Sequence, residues 1–312
     1  MSTLRKSLVL HGAVIAGLFA LQFVLPEYHN TNVARIMVLA VYALGYNVLL
    51  GYTGLMSLGH AMFFAAGMYG AGLPIYYLEF SAGAGLLTGV ACGLLLAFLF
   101  GLLALRTTGV AFLIVSLMFA QALYLATLYF NEITLGDQGF IVKAAPLAGI
   151  GFHEPALKYN AALVLFAAAL LGCLALRLSP IGRVLTGIRE NEERTRLLGY
   201  NSFLYKLLAV VVSGGLSAAA GGTYAILFSY VGSTFASILF SIYPLLWTLL
   251  GGAGTLLGPL LGTSLMFYLV DFASEWTSAY LLVVGAALVV LVLWFPLGFL
   301  GWVRTRWLAW LP

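Results

Sequence analysis

Residues 82–104 read Ala82-Gly83-Ala84-Gly85-Leu86-Leu87-Thr88-Gly89-Val90-Ala91-Cys92-Gly93-Leu94-Leu95-Leu96-Ala97-Phe98-Leu99-Phe100-Gly101-Leu102-Leu103-Ala104, without one charged side chain. An α-helix needs about 20 apolar residues to cross a hydrocarbon layer about 30 Å thick. This stretch meets that requirement, and most of the chain repeats it. Comparable runs lie at 8–25, 34–50, 55–78, 108–130, 159–177, 207–228, 238–256, 258–272 and 278–297, which makes about ten predicted spans. Glycine and proline interrupt the runs at 55–78, 238–256 and 258–272, so some of these are expected to be half-helices that enter and turn back.

Composition agrees with that pattern. Of 312 residues, 63% are hydrophobic and 8% charged, and the mean hydropathy is +1.06. A soluble domain needs far more charge to cover its surface. The predicted fold class is therefore an all-α polytopic membrane protein, read as one permease domain over 1–312. The run at 8–25 follows Arg5 and Lys6 as a signal peptide would, but Leu25-Pro26-Glu27-Tyr28 is a poor cleavage site, so it reads as a retained first span. Cys92 and Cys173 both sit in apolar runs and read as small buried hydrophobes; no metal or cofactor site is expected.

The basic residues set an orientation. With a cytoplasmic N-terminus, Arg5, Lys6, Arg106, Arg177, Arg183, Arg189, Arg194, Arg196, Lys206, Arg304 and Arg306 lie inside, against Arg35, Lys143 and Lys158 outside. That arrangement predicts both termini and the 179–206 loop in the cytoplasm, and the 131–158 loop outside. The inner loop reads as one or two short amphipathic helices. Ser179 and Pro180 suit an N-cap and first turn, Glu190–Arg194 and Glu192–Arg196 are spaced as i,i+4 pairs, and Gly199 and Asn201 read as stop signals. The plain reading is a solvated loop helix. The functional one is a coupling helix that seats in a motor domain.

An external motor is the better source of energy. The predicted spans hold no central Asp, Glu or Lys to carry protons or sodium, and His60 is the one ionisable residue near a span's middle or mouth. None of the four lysines follows a glycine, so the chain lacks a G-x-x-x-x-G-K-[ST] phosphate loop and any ATPase must be a separate subunit. A secondary transporter, and a channel for a small neutral solute such as urea, stay open as alternatives.

Three motifs carry a family resemblance. They are Gly51-Tyr52-Thr53-Gly54-Leu55-Met56-Ser57-Leu58-Gly59-His60-Ala61-Met62-Phe63-Phe64; Gly182-Arg183 with Ile188-Arg189-Glu190-Asn191-Glu192, Gly199-Tyr200-Asn201 and Lys206; and Leu250-Gly251-Gly252-Ala253-Gly254-Thr255-Leu256-Leu257-Gly258-Pro259 ahead of Gly262. In order and spacing the chain resembles LivM-type permeases of branched-chain amino-acid ABC importers. The resemblance implies a type II-like importer fold in a bacterial inner membrane. It also implies a second permease subunit, two cytoplasmic ABC ATPases and a periplasmic binding protein. It places ATPase docking at Gly182, Arg183, Ile188, Arg189, Glu190, Asn191 and Glu192. Gly54, Ser57, Gly59, His60, Gly251, Gly252, Gly254 and Pro259 become candidates for the translocation pathway, as broken helices whose free backbone groups line it; close helix packing is the alternative role for these glycines. One departure stands out: Thr134-Leu135-Gly136-Asp137-Gln138-Gly139 carries a leucine where the family has a glycine, which leaves the substrate open among branched-chain amino acids, urea, amides and aromatic acids.

Overall fold

The computed structural model describes residues 3–143, 154–295 and 297–307; the 144–153 part of the predicted outer loop lies outside them. The chain runs α1 (Thr3–Leu21), α2 (Glu27–Thr53), α3 (Ala61–Leu78), α4 (Ala82–Ala104), α5 (Val110–Tyr129), α6 (Asn131–Thr134), β1 (Phe140–Ile141), α7 (Pro155–Leu178), α8 (Pro180–Glu190) and α9 (Glu192–Leu197). It continues through α10 (Ser202–Phe228), β2 (Tyr230–Val231), a 3₁₀ turn at Ser233–Ala236, α11 (Ile238–Gly251), α12 (Gly258–Trp276), α13 (Tyr280–Trp294) and α14 (Phe299–Arg306). The fold is all-α and polytopic; among the described residues the one sheet is the antiparallel pair of two-residue strands β1 and β2. Helices α2, α3, α4, α5, α7 and α10 are each long and apolar enough to cross a bilayer, whereas α11 and α13 are shorter apolar helices. The expected runs map onto α1–α5, α7 and α10–α13, so ten is an approximate count of crossings.

Helix α2 is the axis of the bundle. Its 27 residues rise about 40 Å, and every residue from Asn32 to Thr53 except Arg35 is buried. Helices α10, α7, α12 and α11 pack around it, and α3 and α4 pack on α10. Small residues let these backbones approach, as expected where lipid supplies no hydrophobic drive between helices. A Cβ on Gly45 would sit 2.8 Å from the Ser213 carbonyl oxygen, and one on Gly70 2.9 Å from Cβ of Cys92. Cys92 itself is exposed, contrary to expectation, at the edge of the contact between α4 and α3; Cys173 is buried as expected.

Antiparallel packing sorts the charges onto two faces. Tyr28 at the start of α2 bonds Asp271 near the end of α12 at 2.9 Å, and Tyr77 at the end of α3 bonds the Ile133 carbonyl at 3.1 Å, so these ends share the face that carries β1 and β2. Helices α8 and α9 lie on the opposite face. The start of α1 lies there too, since Tyr159 in the first turn of α7 bonds the Leu18 carbonyl near the end of α1 at 2.5 Å. The 11 basic residues assigned to one side fall on this loop face, and all three of the remainder sit in the strand-face half.

Candidate functional site

Two breaks in the helical chain meet against α2. The first occupies Gly54–His60, so the predicted 55–78 span is not one helix: α2 runs on to Thr53 and α3 starts only at Ala61. Gly54 caps α2 in the left-handed region, φ +73°, which favours glycine. The chain then folds back along α2. The Ser57 carbonyl accepts from the Tyr46 hydroxyl at 3.0 Å, and His60 stacks on Tyr42 with ring centroids 5.8 Å apart.

Irregular backbone inside an apolar bundle needs a partner for each polar group. Serines from three elements supply them. Leu58 N–H donates to Ser116 Oγ of α5 at 3.0 Å, Gly59 N–H to Ser57 Oγ at 3.2 Å, and Ala61 N–H to Ser241 Oγ of α11 at 3.0 Å. His60 is fully buried. Ser213 gives its single hydroxyl proton to the Gly45 carbonyl at 2.6 Å, so its oxygen accepts from His60 Nε2 at 3.1 Å. That fixes the tautomer and leaves Nδ1 as an unpartnered acceptor.

The second break is the turn between α11 and α12. Gly252 and Gly254 take φ +114° and +84°. Pro259 lies in the first turn of α12, so the break falls ahead of it. Buried Asn47 of α2 holds this turn from both sides: its Oδ1 accepts from Gly254 N–H at 2.8 Å and its Nδ2 donates to the Thr255 carbonyl at 2.9 Å. Gly51 touches Gly254 so closely that a Cβ on Gly51 would lie 2.7 Å from the Gly254 nitrogen, and one on Gly251 would lie 2.8 Å from the Gly258 Cα. The structure therefore brings Gly54, Ser57, Gly59 and His60 into one break, places Gly251, Gly252, Gly254 and Pro259 in the other, and joins them through Asn47 and Gly51.

Arginines surround this junction. Arg177, in the last turn of α7, donates to the Gly254 carbonyl and lies 5.6 Å over the Tyr52 ring. Arg189, in the last turn of α8, donates to the Gly51 carbonyl at 2.5 Å. Gly51 is in the final turn of α2, whose last carbonyls have no partner within the helix and carry partial negative charge. Arg304 of α14 completes the group. Burial first, then the cations of Arg177 and Arg189, push it below the usual arginine range; it stays charged, and the direction reports crowding of like charge.

The loop-face unit is two helices, as one of the sequence readings allowed. Ser179 Oγ caps α8 by accepting from Gly182 N–H at 3.2 Å, and Pro180 follows it. Asn191 ends α8 with an extended backbone and caps α9, accepting from Arg194 N–H at 2.9 Å. This extended residue is why Glu190 and Arg194 are not helix neighbours and no i,i+4 ion pair joins them. Glu192 and Arg196 do pair, at 2.5 Å, and Glu192 also pairs with Lys206 of α10. Asn201, expected as a stop signal, instead caps α10 by accepting from Leu204 N–H at 3.3 Å. Of the predicted docking residues, Gly182 and Ile188 are buried, Glu192 is half-buried, Arg183, Glu190 and Asn191 are exposed, and Arg189, also exposed, turns its guanidinium onto the Gly51 carbonyl. Leu197 and Leu198 are 88% and 72% exposed.

Partial burial pushes the Glu192 carboxyl toward neutrality, but hydrogen bonds from Lys206 and Ser202, the Lys206 charge and the bond to Arg196 outweigh it and hold the carboxyl below the usual carboxylate range. A depressed folded pKa stabilises the clasp above the unfolded value, about 4.3, and that stabilisation is lost as pH falls through the folded value. A spin label on Glu193→Cys in a cysteine-free background is therefore expected to stay immobile at neutral pH and to loosen only once the pH is taken below the ordinary carboxylate value, about 4.3. In Glu192→Gln it should be loose at both. A label whose mobility does not depend on pH would refute the clasp.

Comparison with known proteins bears on this arrangement. Residues 31–293 match the family described as branched-chain amino acid transport system, permease component. The chain is similar to the high-affinity branched-chain amino acid transport system permease protein LivM of Escherichia coli K12, 28% identical over 298 positions that cover 86% of this chain and 69% of that one. The protein of the same description in Salmonella typhimurium is 27% identical over 334 positions, covering 98% of this chain and 77% of the relative. A probable LivM of Methanocaldococcus jannaschii matches at 31% over 103 positions, 32% of this chain and 30% of its own. The matched span runs from within α2 to the end of α13 and takes in both breaks and the loop-face unit; the chain belongs to the branched-chain amino acid transport system permease family.

Proposed function

We propose that the chain is the permease subunit of an ATP-driven importer that moves branched-chain or related neutral amino acids into the cytoplasm. It works in a bacterial inner membrane with a second permease subunit, two ABC ATPases and a periplasmic binding protein. It is itself non-catalytic. The observation that carries this reading is the loop-face unit: a doubly capped pair of helices in a protein of the permease family, presenting Arg183, Glu190, Glu193, Leu197 and Leu198 outward. Two adjacent exposed leucines ringed by charges of both signs suit the apolar floor and polar rim of a protein cleft. A lipid-binding segment would be richer in net positive charge. The loop face is then cytoplasmic, and the glycine breaks line the passage.

The test is reconstitution of the chain with its co-expressed partners in proteoliposomes. ATP-dependent uptake of labelled leucine is expected only when the ATPases and binding protein are present, and Leu197→Asp should release the ATPases from a folded permease. In intact cells an impermeant maleimide should label Gln138→Cys and spare Glu193→Cys. Uptake that survives without ATP, or labelling of Glu193→Cys from outside, overturns the proposal.

A further inference from the structure

Arg189 lies in the segment expected to meet the motor, yet its side chain points the other way. Its stem crosses Gly54, where a Cβ would lie 3.3 Å from Arg189 Cγ. Its guanidinium bonds the Gly51 carbonyl and lies beside Gly254, where an added Cβ would be 2.8 Å from Nη1. One residue of α8 thus touches both glycine breaks and the end of α2 between them. Arg177 grips the same contact from the far side, on the Gly254 carbonyl, but from α7, whose body is packed against α2.

The two grips differ in what can move. Helix α8 is set off from α7 by the extended residue Ser179 and from α9 by the extended residue Asn191, and it packs on α2, α7 and α10 through Gly182, Val184, Leu185 and Ile188. Its polar side is exposed. A pivot of α8 would carry Arg189 away from Gly51 while Arg177 stayed in place. Among the described residues the two ion pairs, Arg196–Glu192 and Lys206–Glu192, lie elsewhere. The arginines at the junction therefore rest on carbonyl dipoles, which an arginine leaves more readily than a carboxylate partner.

We infer that Arg189 is a positioning residue for transport: it latches the end of α2 to the Gly252–Leu257 turn while the loop-face end of the bundle is closed, and displacement of α8 releases it. This rests on the proposal that α8 and α9 receive the motor, and it takes Arg189 out of the motor contact. With the latch in place Gly51 and Gly254 touch; with it withdrawn the turn is held by Asn47 and Arg177, and the Gly51 carbonyl loses its donor.

The test uses the complete complex carrying Arg189→Gln, with Arg183→Glu as the comparison at an exposed site. Arg189→Gln is expected to insert, to retain its ATPases and to hydrolyse ATP. Leucine taken up per ATP should fall about tenfold, the size of effect a lost hydrogen bond to a charged group produces, and leucine should leak faster from loaded liposomes without ATP. Arg183→Glu should instead lose ATPase and leave the leak unchanged. If Arg189→Gln sheds its ATPases as Arg183→Glu does, or shows wild-type coupling and leak, the latch is wrong. Should glutamine prevent insertion, Arg189→Met keeps the apolar stem over Gly54 without a donor, and the same two outcomes apply. The leak assay needs no ATPase, so it still decides the latch if the wild-type chain proves not to be ATP-driven.

Discussion

Gly59→Val is expected to abolish uptake while leaving α8 and α9 able to hold an ATPase. A Cβ at Gly59 would lie 2.7 Å from the Ser116 carbonyl carbon and 3.3 Å from its Cα. That neighbour is helix backbone in α5, and it cannot rotate away as a side chain would. Ser116 also receives the Leu58 N–H and donates to the Leu113 carbonyl at 2.8 Å, so displacing α5 strands the break's own hydrogen bonds. Over-packing of this kind costs about 3 kcal/mol, the upper part of its usual range. The control is Gly172→Val on α7, where an added Cβ meets nothing within 4 Å. Uptake in proteoliposomes should vanish in the first variant and persist in the second. Normal uptake in Gly59→Val would show that the break and α5 are free to separate.

Asn47→Leu is expected to give a large stability loss without adding bulk to the junction. Leucine fills the volume but leaves Gly254 N–H and the Thr255 carbonyl without partners, in a place water does not reach. A buried orphan costs about 1–3 kcal/mol, so the pair amounts to roughly 2–6 kcal/mol. Thermal unfolding in detergent should fall by many degrees, and uptake with it. Asn47→Asp keeps the acceptor for Gly254 but loses the donor to Thr255, and should fall between leucine and wild type if its carboxyl is neutral. An unchanged unfolding temperature in Asn47→Leu would mean that the turn finds other partners.

The parts of this fold that depend on short-range pattern were legible in the sequence. The uncharged runs, the division of basic residues between two faces, the caps at Ser179 and Pro180 and the glycine-marked interruptions all depend on residues near one another in the chain. What escaped depends on distant pairing. Asn47 and Gly254 are 207 positions apart, and Ala61 and Ser241 are 180. Asn47 could have been flagged as a polar residue within the apolar 34–50 run, but nothing local names its partner. Arg189 misled for the same reason: its spacing marks a solvated helix, while its partner is a carbonyl 138 positions earlier. Leu197 and Leu198 fit a helical apolar stripe, yet α9 ends at Leu197 and the stripe faces outward. The left-handed Leu135, φ +57°, shows why the family's glycine suits that position.

The long reach of Asn47 also bears on how the protein is made. Helix α2 leaves the ribosome early, carrying an amide whose two partners are translated some two hundred residues later. The carbonyl that Arg177 grips likewise belongs to Gly254. Until the α11–α12 turn is synthesised, a nascent chain must keep these polar groups sheltered by lipid-side chaperoning, by water or by makeshift contacts. A product that stops short of residue 254 therefore leaves the Asn47 amide and the Arg177 guanidinium at its centre without these partners for good.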